Sequence, residues 1–231
     1  MPQTIDSIDR FFLTLFNGSH SMFLDEFALL FTNTVAWVPL FIALIILVVK
    51  NNEKTSQVML LIGAVALGFL LSDGLADGIV KPLVGRLRPV NDPSMASVVN
   101  VVNGYHPSGY SFFSAHAANT FALAMLLTLI IRNTTFSTFM FLWAVGNCWT
   151  RLYLGAHYMS DIVVGIVWGC CAGVIAYAVY RRLYYKVSPR LHFISSQYTR
   201  SGYSLADIDM VLSVLVLTVV VLIMLSCLWA R

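Results

Sequence analysis

The stretch Thr150-Arg-Leu-Tyr-Leu-Gly-Ala-His157-Tyr-Met-Ser-Asp161 sets an arginine, a histidine six positions on and an aspartate four further between two long apolar segments. Ionisable residues at membrane depth are costly and by default mark a functional site. With the His-Asp part helical, residues four apart share a face, so Asp161 reaches the His157 ring. A carboxylate on one imidazole nitrogen fixes the tautomer and makes the other nitrogen a better base or nucleophile. Taken alone, the trio reads equally well as a structural polar knot.

The apolar sequence around it decides the fold. The chain has 231 residues, 58% hydrophobic and 11% charged, with a mean hydropathy of +0.79. A soluble domain carries about 25% charged residues, so water is not the main solvent of this surface. Runs long enough to cross a bilayer, at about 20 residues each, lie near 27–49, 57–80, 112–131, 135–150, 160–180 and 208–229. The fourth is short and polar at its end. The expected fold is all-α: a polytopic membrane bundle of about six transmembrane helices. Gly63, Gly68, Gly165, Gly169 and Gly173 are small residues of the kind that let membrane helices approach closely. Asp73 and Asp77, one turn apart in the second run, are expected to face the bundle and to brace Lys81 or a neighbouring helix.

Before these runs, Ile5, Ile8, Phe12, Leu15 and Phe16 fall on one helical face, with Asp6, Asp9 and Arg10 mostly opposite. That segment is too short and too charged to span, and it suits an amphipathic helix lying in the interface. The N-terminus lacks the basic start and short apolar run of a cleaved signal peptide, so the first spanning helix is expected to serve as an uncleaved insertion signal. Cys148, Cys170, Cys171 and Cys227 lie inside apolar segments, at spacings that fit neither a zinc site nor a disulfide framework, and read as small packing residues. Basic residues are few and sit beside apolar spans, which excludes nucleic acid as a partner.

Lys50, Lys54, Arg132, Arg181, Arg182, Lys186, Arg190 and Arg200 fall on one side of a six-span chain, and Arg10, Lys81, Arg86, Arg88, Arg151 and Arg231 on the other. Eight against six, the positive-inside rule places the first group in the cytoplasm. The 81–111 loop and the turn before His157 then face the periplasm or cell exterior, in a multi-pass inner-membrane protein. One domain, 1–231, with a motif-bearing core of about 60–180, is expected.

Three polar patches share that outer side: Lys81 to Arg88-Pro89, Ser111 to Thr120, and Arg151 to Asp161. Together they gather Lys81, Arg88 and Arg151 with Ser114, His116, His157 and Asp161. Three cations and a hydroxyl exceed what one carboxylate needs, and arginine forks match phosphate oxygens. Ser114 and His116 stand where a helix begins, so free backbone N–H groups, that of Ala115 among them, also face an anion. Two histidines beside such a cage divide the labour, one attacking phosphorus and the other protonating the departing oxygen. Singly, Lys81 and Arg88 could be anchors that snorkel to headgroups. Arg86 reads as a surface or headgroup contact. His20, His106 and His192 read as incidental loop residues, with His106 close enough to line the mouth.

Lys81 to Arg88-Pro89 fits the pattern Lys-x6-Arg-Pro, and Arg151, His157 and Asp161 fit Ser-Arg-x5-His-x3-Asp with Thr150 for the serine. Between them, Phe113-Ser114-Ala115-His116, followed by Ala117-Ala118-Asn119, has the serine and histidine of Pro-Ser-Gly-His at the right spacing. Pro107-Ser108-Gly109 is followed by Tyr110 and reads as a loop turn. In this order the three motifs resemble those of the type 2 phosphatidic acid phosphatases, which share their site with vanadium haloperoxidases. The resemblance implies a bacterial integral-membrane phosphatase acting on a lipid phosphate or pyrophosphate, with undecaprenyl diphosphate or a lipid A phosphate favoured over phosphatidylglycerol phosphate and phosphatidic acid. It implies that His157 is the nucleophile, forming a phosphohistidine, that Asp161 holds its ring, and that His116 protonates the leaving oxygen and later activates water. Lys81, Arg88, Ser114, the Ala115 amide and Arg151 would bind the phosphoryl oxygens. No metal or other cofactor is implied, because the fixed cations replace one, and the partner is the membrane lipid itself. The alternatives are a non-catalytic phospholipid binder or flippase-like protein that keeps the anion cage, and haloperoxidase chemistry, which the lipid setting disfavours.

Overall fold

The computed structural model describes residues 3–19, 21–187 and 196–230. His20, Arg190, His192 and Arg231 lie outside them. Among the described residues the chain is helical, with a single isolated antiparallel bridge between Tyr198 and Ser204. The main helices are α1 (Gln3–Phe16), α2 (Met22–Thr32), α3 (Val38–Lys50), α4 (Thr55–Phe69), α5 (Lys81–Val84), α6 (Ala115–Ile131), α7 (Thr134–Tyr153), α8 (Met159–Val187) and α9 (Leu205–Trp229).

α6 is the axis. It is apolar all round, as a helix enclosed by others must be, and buries Ala117, Ala118, Ala122, Ala124, Leu126 and Leu127 among others. α8 lies along it on a stripe of glycines. A Cβ at Gly165 would stand 2.7 Å from the Ser114 carbonyl oxygen, at Gly169 2.4 Å from that of Ala118, and at Gly173 2.7 Å from that of Ala122. Only residues without a Cβ allow this approach. The close contact fixes the N-terminal end of α6, which carries Ser114 and His116, against that of α8, which carries Asp161.

By length and hydropathy, α8, α9 and the stretch Thr55–Met95 are able to cross a membrane, and α2 and α3 taken together add a fourth. The run expected over 27–49 is therefore not one straight helix. α2 and α3 meet at a 68° bend, where Asn33 ends α2, its side chain accepts the Val35 N–H at 3.0 Å, and Trp37 donates from Nε1 to the Phe31 carbonyl at 2.8 Å. α6, at 17 residues, is shorter than a full span, and α7, at 20 residues, carries Asn147, Thr150 and Arg151. The run over 57–80 continues past α4 through two wide five-residue turns, 70–74 and 76–80, into α5.

Asp73 and Asp77 are exposed and do not face the bundle interior, contrary to expectation. Each still braces: Asp77 pairs with Lys81, and Asp73 accepts from Asn119 Nδ2 at 3.0 Å. α1 is helical as expected, with Ile5, Ile8, Phe11 and Leu15 exposed, but Asp9 is fully buried. The basic loop residues also make specific contacts, Lys50 with Asp207 and Arg132 with the Tyr177 hydroxyl at 3.3 Å. Cys148 is buried, whereas Cys171 and Cys227 are exposed.

Candidate active site

The turn between α7 and α8 places His157. Gly155, at φ +61°, makes the turn, and the Ala156 N–H closes it on the Arg151 carbonyl at 3.0 Å. The imidazole is 1% exposed. Arg88 Nη1 lies 3.1 Å from His157 Nε2. A guanidinium only donates, so Nε2 is the lone-pair nitrogen and Nδ1 carries the proton. Nδ1 is 3.3 Å from Ser111 Oγ, which donates at 2.5 Å to Asp161 Oδ2.

Asp161 was expected to bond the ring through helical i,i+4 spacing. His157 instead precedes α8, and its Nδ1 is 3.8 Å from Asp161 Oδ2, an ion-pair separation rather than a hydrogen bond. Ser111 bridges the gap. The Asp161 carboxylate also accepts the Tyr158 N–H at 3.0 Å, and its backbone carbonyl accepts the Ser114 N–H at 3.1 Å.

The loop from 85 to 114 is laced to this turn. Val90 N–H donates to the Gly155 carbonyl at 3.1 Å, and Ser111 N–H to the Arg86 carbonyl at 2.7 Å. Arg88 is buried and held by the carbonyls of Ser108, Gly109 and Ala156 at 3.0, 3.2 and 3.2 Å. Arg151 is 2% exposed. Its Nη1 donates to Thr32 Oγ1 at 2.7 Å and to the Tyr105 hydroxyl at 3.0 Å, while its buried Nε–H has no partner among the described residues. Arg88 and Arg151 lie close enough for their like charges to act on one another. Two buried guanidiniums that repel one another, one with an idle donor, form a place that an anion completes.

Lys81 is also buried. Ser114 is fully buried at the N-terminal cap of α6, its Oγ accepting the Ala117 N–H at 3.4 Å. Ala115 opens α6 in helical conformation, so alanine costs no backbone strain where the family pattern has glycine. His116 is partly buried and its ring makes no hydrogen bond among the described residues, while its carbonyl accepts from Thr120 Oγ1 at 2.9 Å; Arg151, His157, Lys81 and Arg88 lie close enough to act on the ring through charge. The structure thus gathers Lys81, Arg88, Ser114, Ala115, His116, Arg151, His157 and Asp161 at one end of the bundle. Ser108 stays outside the cage, exposed, contributing its carbonyl to Arg88, and His106 is exposed beside Asn91.

Besides Ser111, two residues escaped the sequence reading. Arg86 is no headgroup contact: its side chain is 12% exposed and its Nη1 donates to Asp161 Oδ1 at 2.6 Å. Asp9 was placed on the polar outer face of α1, but it accepts from Arg86 Nη2 at 2.7 Å. Arg86 has a faint signal in its sequence, an arginine one strand-like step from Arg88. Asp9 has none.

Burial pulls the His157 pKa down to about 4 against the pull of Asp161, with Arg151 and Arg88 adding to burial. The ring is therefore neutral above pH about 4 and loses its lone pair only below it. In protein with ¹⁵N-labelled histidine, the His157 resonances, identified by their loss in His157→Ala, are expected to keep the neutral signature down to pH about 5. A midpoint near the ordinary 6.5 contradicts this burial.

Comparisons with known proteins identify the family. The PAP2 superfamily model matches residues 57–185. The chain is 39% identical over 184 residues to the lipid A 4'-phosphatase of Bacteroides thetaiotaomicron, covering 79% of this chain and 81% of that protein. It is 32% identical over 169 residues to the lipid A 4'-phosphatase of Porphyromonas gingivalis, covering 73% and 71%. The crystal structure of Aquifex aeolicus LpxE superposes with a TM-score of 0.53 at 25% identity, over 72% of this chain and 92% of that one. The chain belongs to the PAP2 superfamily, as an integral-membrane lipid phosphatase.

Proposed function

We propose that this protein removes the 4'-phosphate of lipid A by way of a phosphohistidine on His157. The observation that carries the chemistry is the His157 Nε2 lone pair, buried and facing Arg88, beside a second buried guanidinium with an unpaired donor. The substrate class is supported by the two lipid A 4'-phosphatases that this chain resembles over most of its length.

The phosphoryl group sits among Lys81, Arg88, Arg151, Ser114 and the Ala115 amide. Arg88 Nη1 moves its hydrogen bond from Nε2 to a phosphoryl oxygen, which frees the lone pair for in-line attack. A P–N bond forms as the P–O bond to the sugar breaks, and His116, protonated once the phosphate's negative charge offsets the surrounding cations, gives its proton to the departing oxygen. Water then attacks phosphorus, His116 takes its proton, and the P–N bond breaks to release phosphate. The cations stabilise the equatorial charge in both steps.

Detergent-purified protein with chelator present is expected to release phosphate from lipid A, leaving a product that retains the phosphate at position 1 by mass spectrometry. Undecaprenyl diphosphate, phosphatidylglycerol phosphate and phosphatidic acid complete the panel. Release from one of these in place of lipid A overturns the substrate assignment, and silence across the panel from folded protein overturns the catalytic one.

The middle motif has its own test. Ser114→Ala removes a phosphate ligand and a helix cap worth about 1 kcal/mol, and activity is expected to fall severely. Ser108→Ala keeps the carbonyl that holds Arg88 and is expected to act at near the parent rate. The opposite ranking refutes the assignment of Ser114.

The site is proposed to open to the periplasm. In a cysteine-free background, a cysteine replacing Ser97 is expected to label from outside spheroplasts, and one replacing Ser196 is not. The reverse pattern places the site in the cytoplasm.

A further inference from the structure

α1 lies far in sequence from every motif, yet it sends one carboxylate into the site. Asp9 is fully buried although apolar residues of the same helix, Ile5, Ile8, Phe11 and Leu15, are exposed. Its Oδ1 accepts the Ser160 N–H at 2.8 Å, and its Oδ2 accepts from Ser160 Oγ at 2.6 Å and Arg86 Nη2 at 2.7 Å. Arg86 is thereby divided, with Nη2 on Asp9 and Nη1 on Asp161 Oδ1 at 2.6 Å and on Ser160 Oγ at 2.8 Å. Its guanidinium carbon lies 3.8 Å from the centre of the Tyr158 ring, whose hydroxyl donates to Asp92 at 3.0 Å. One turn beyond Asp9, Leu13 packs with Met95 and Tyr158 and pins the helix in place.

We infer that Asp9 and Arg86 are positioning residues for the phosphatase reaction, with α1 acting as a clamp on the carboxylate that orients His157. This rests on the phosphatase reading above. The two Asp161 oxygens have separate tasks: Oδ2 faces Ser111 and His157, and Oδ1 is held by Arg86. A buried guanidinium with a single carboxylate partner takes it in a two-pronged grip. Asp9 prevents this by occupying the second prong. Without Asp9, Arg86 draws both oxygens of Asp161 to itself, Ser111 loses its acceptor, and the His157 ring loses the Ser111 link that orients it at Nδ1. Without Arg86, two buried carboxylates lose their shared cation. Either change leaves the phosphate cage of Lys81, Arg88 and Arg151 in place, so the effect falls on turnover and not on binding.

The test uses the full-length protein in detergent, with kcat and KM for lipid A measured in the parent, His157→Ala, Asp9→Asn, Asp9→Glu, Arg86→Lys and the Asp9→Asn/Arg86→Lys double variant. The folded fraction of each is set by near-UV circular dichroism. Asp9→Asn and Arg86→Lys are expected to lower kcat about 10- to 100-fold at unchanged KM, the usual scale for groups that orient a reacting side chain. The double variant is expected to be no worse than the weaker single one, and Asp9→Glu to recover part of the rate. Parent kcat in both single variants overturns the inference, as does a raised KM at unchanged kcat or a loss that only follows the folded fraction. A second readout is independent of turnover: Arg88 keeps the lone pair on Nε2 in the Asp9 and Arg86 variants, but the His157 Nδ1–H proton resonance, hydrogen-bonded and slow to exchange in the parent, is expected to shift upfield and exchange faster in Asp9→Asn. An unchanged Nδ1–H resonance in Asp9→Asn overturns the positioning role even if the parent releases no phosphate, an outcome that separately refutes the phosphatase reading.

Discussion

In His157→Ala, phosphate release from lipid A is expected to fall at least about 10,000-fold, the scale on which enzymes lose activity when the nucleophile of a covalent mechanism is deleted. The bundle is expected to stay folded. The imidazole is buried, but its neighbours are secured elsewhere: Arg88 by the carbonyls of Ser108, Gly109 and Ala156, and Ser111 by Asp161. Removing the ring therefore strands no buried donor that lacks another partner. Phosphate binding is also expected to survive, because Lys81, Arg88 and Arg151 remain. Equilibrium binding of lipid A by the inactive variant, at near the parent affinity and with the parent melting temperature, is the matching measurement. Loss of binding together with turnover makes His157 part of the cage and not the attacking group.

Gly169→Leu is expected to have the larger structural effect. A Cβ at this position already falls 2.4 Å from the Ala118 carbonyl oxygen and 2.9 Å from its Cα, so the backbone of α6 itself stands in the way. No rotamer relieves a clash with backbone, and α8 must move off α6. Overpacking of this kind costs about 3 kcal/mol or more, and it separates the helix that begins at Ser114 and His116 from the one that carries Asp161. Loss of a monodisperse folded species, or a large drop in melting temperature with activity abolished, is the expected result. Gly63→Leu is the control, since nothing lies within 4 Å of its Cβ position. A Gly169→Leu protein that melts with the parent refutes the packing described for α6 and α8.

The parts of the site that were legible in the sequence are those carried by fixed spacing. Lys81 and Arg88, Ser114 and His116, and Arg151, His157 and Asp161 each fall on one short segment, and the apolar runs between them fix which end of the bundle each segment occupies. Asp9, Arg86 and Ser111 were not legible, because their roles arise from contacts across the chain. Asp9 meets Ser160 from 151 positions away, Arg86 meets Asp161 from 75, and Ser111 meets Asp161 from 50. An amphipathic pattern also assigns a buried carboxylate to the solvent face by default, which is the error made with Asp9. The bend between α2 and α3 was hidden for a different reason: Thr34-Val-Ala-Trp37 continues the apolar run, and only the Asn33 cap and the Trp37 bond to Phe31 turn the chain there. Asp161 itself was found, but its link to His157 was read as direct because the helix was assumed to begin two residues earlier than it does.

The central claim is that the phosphoryl group passes through His157 Nε2. The direct measurement mixes purified protein with lipid A carrying ³²P at the 4' position, quenches in alkali, where phosphohistidine survives, and locates the label by peptide mass spectrometry. The account predicts a transient label on the peptide containing His157, absent in His157→Ala and decaying as free phosphate appears. Phosphate released at the parent rate with no label on His157, or with the label on another residue, contradicts it.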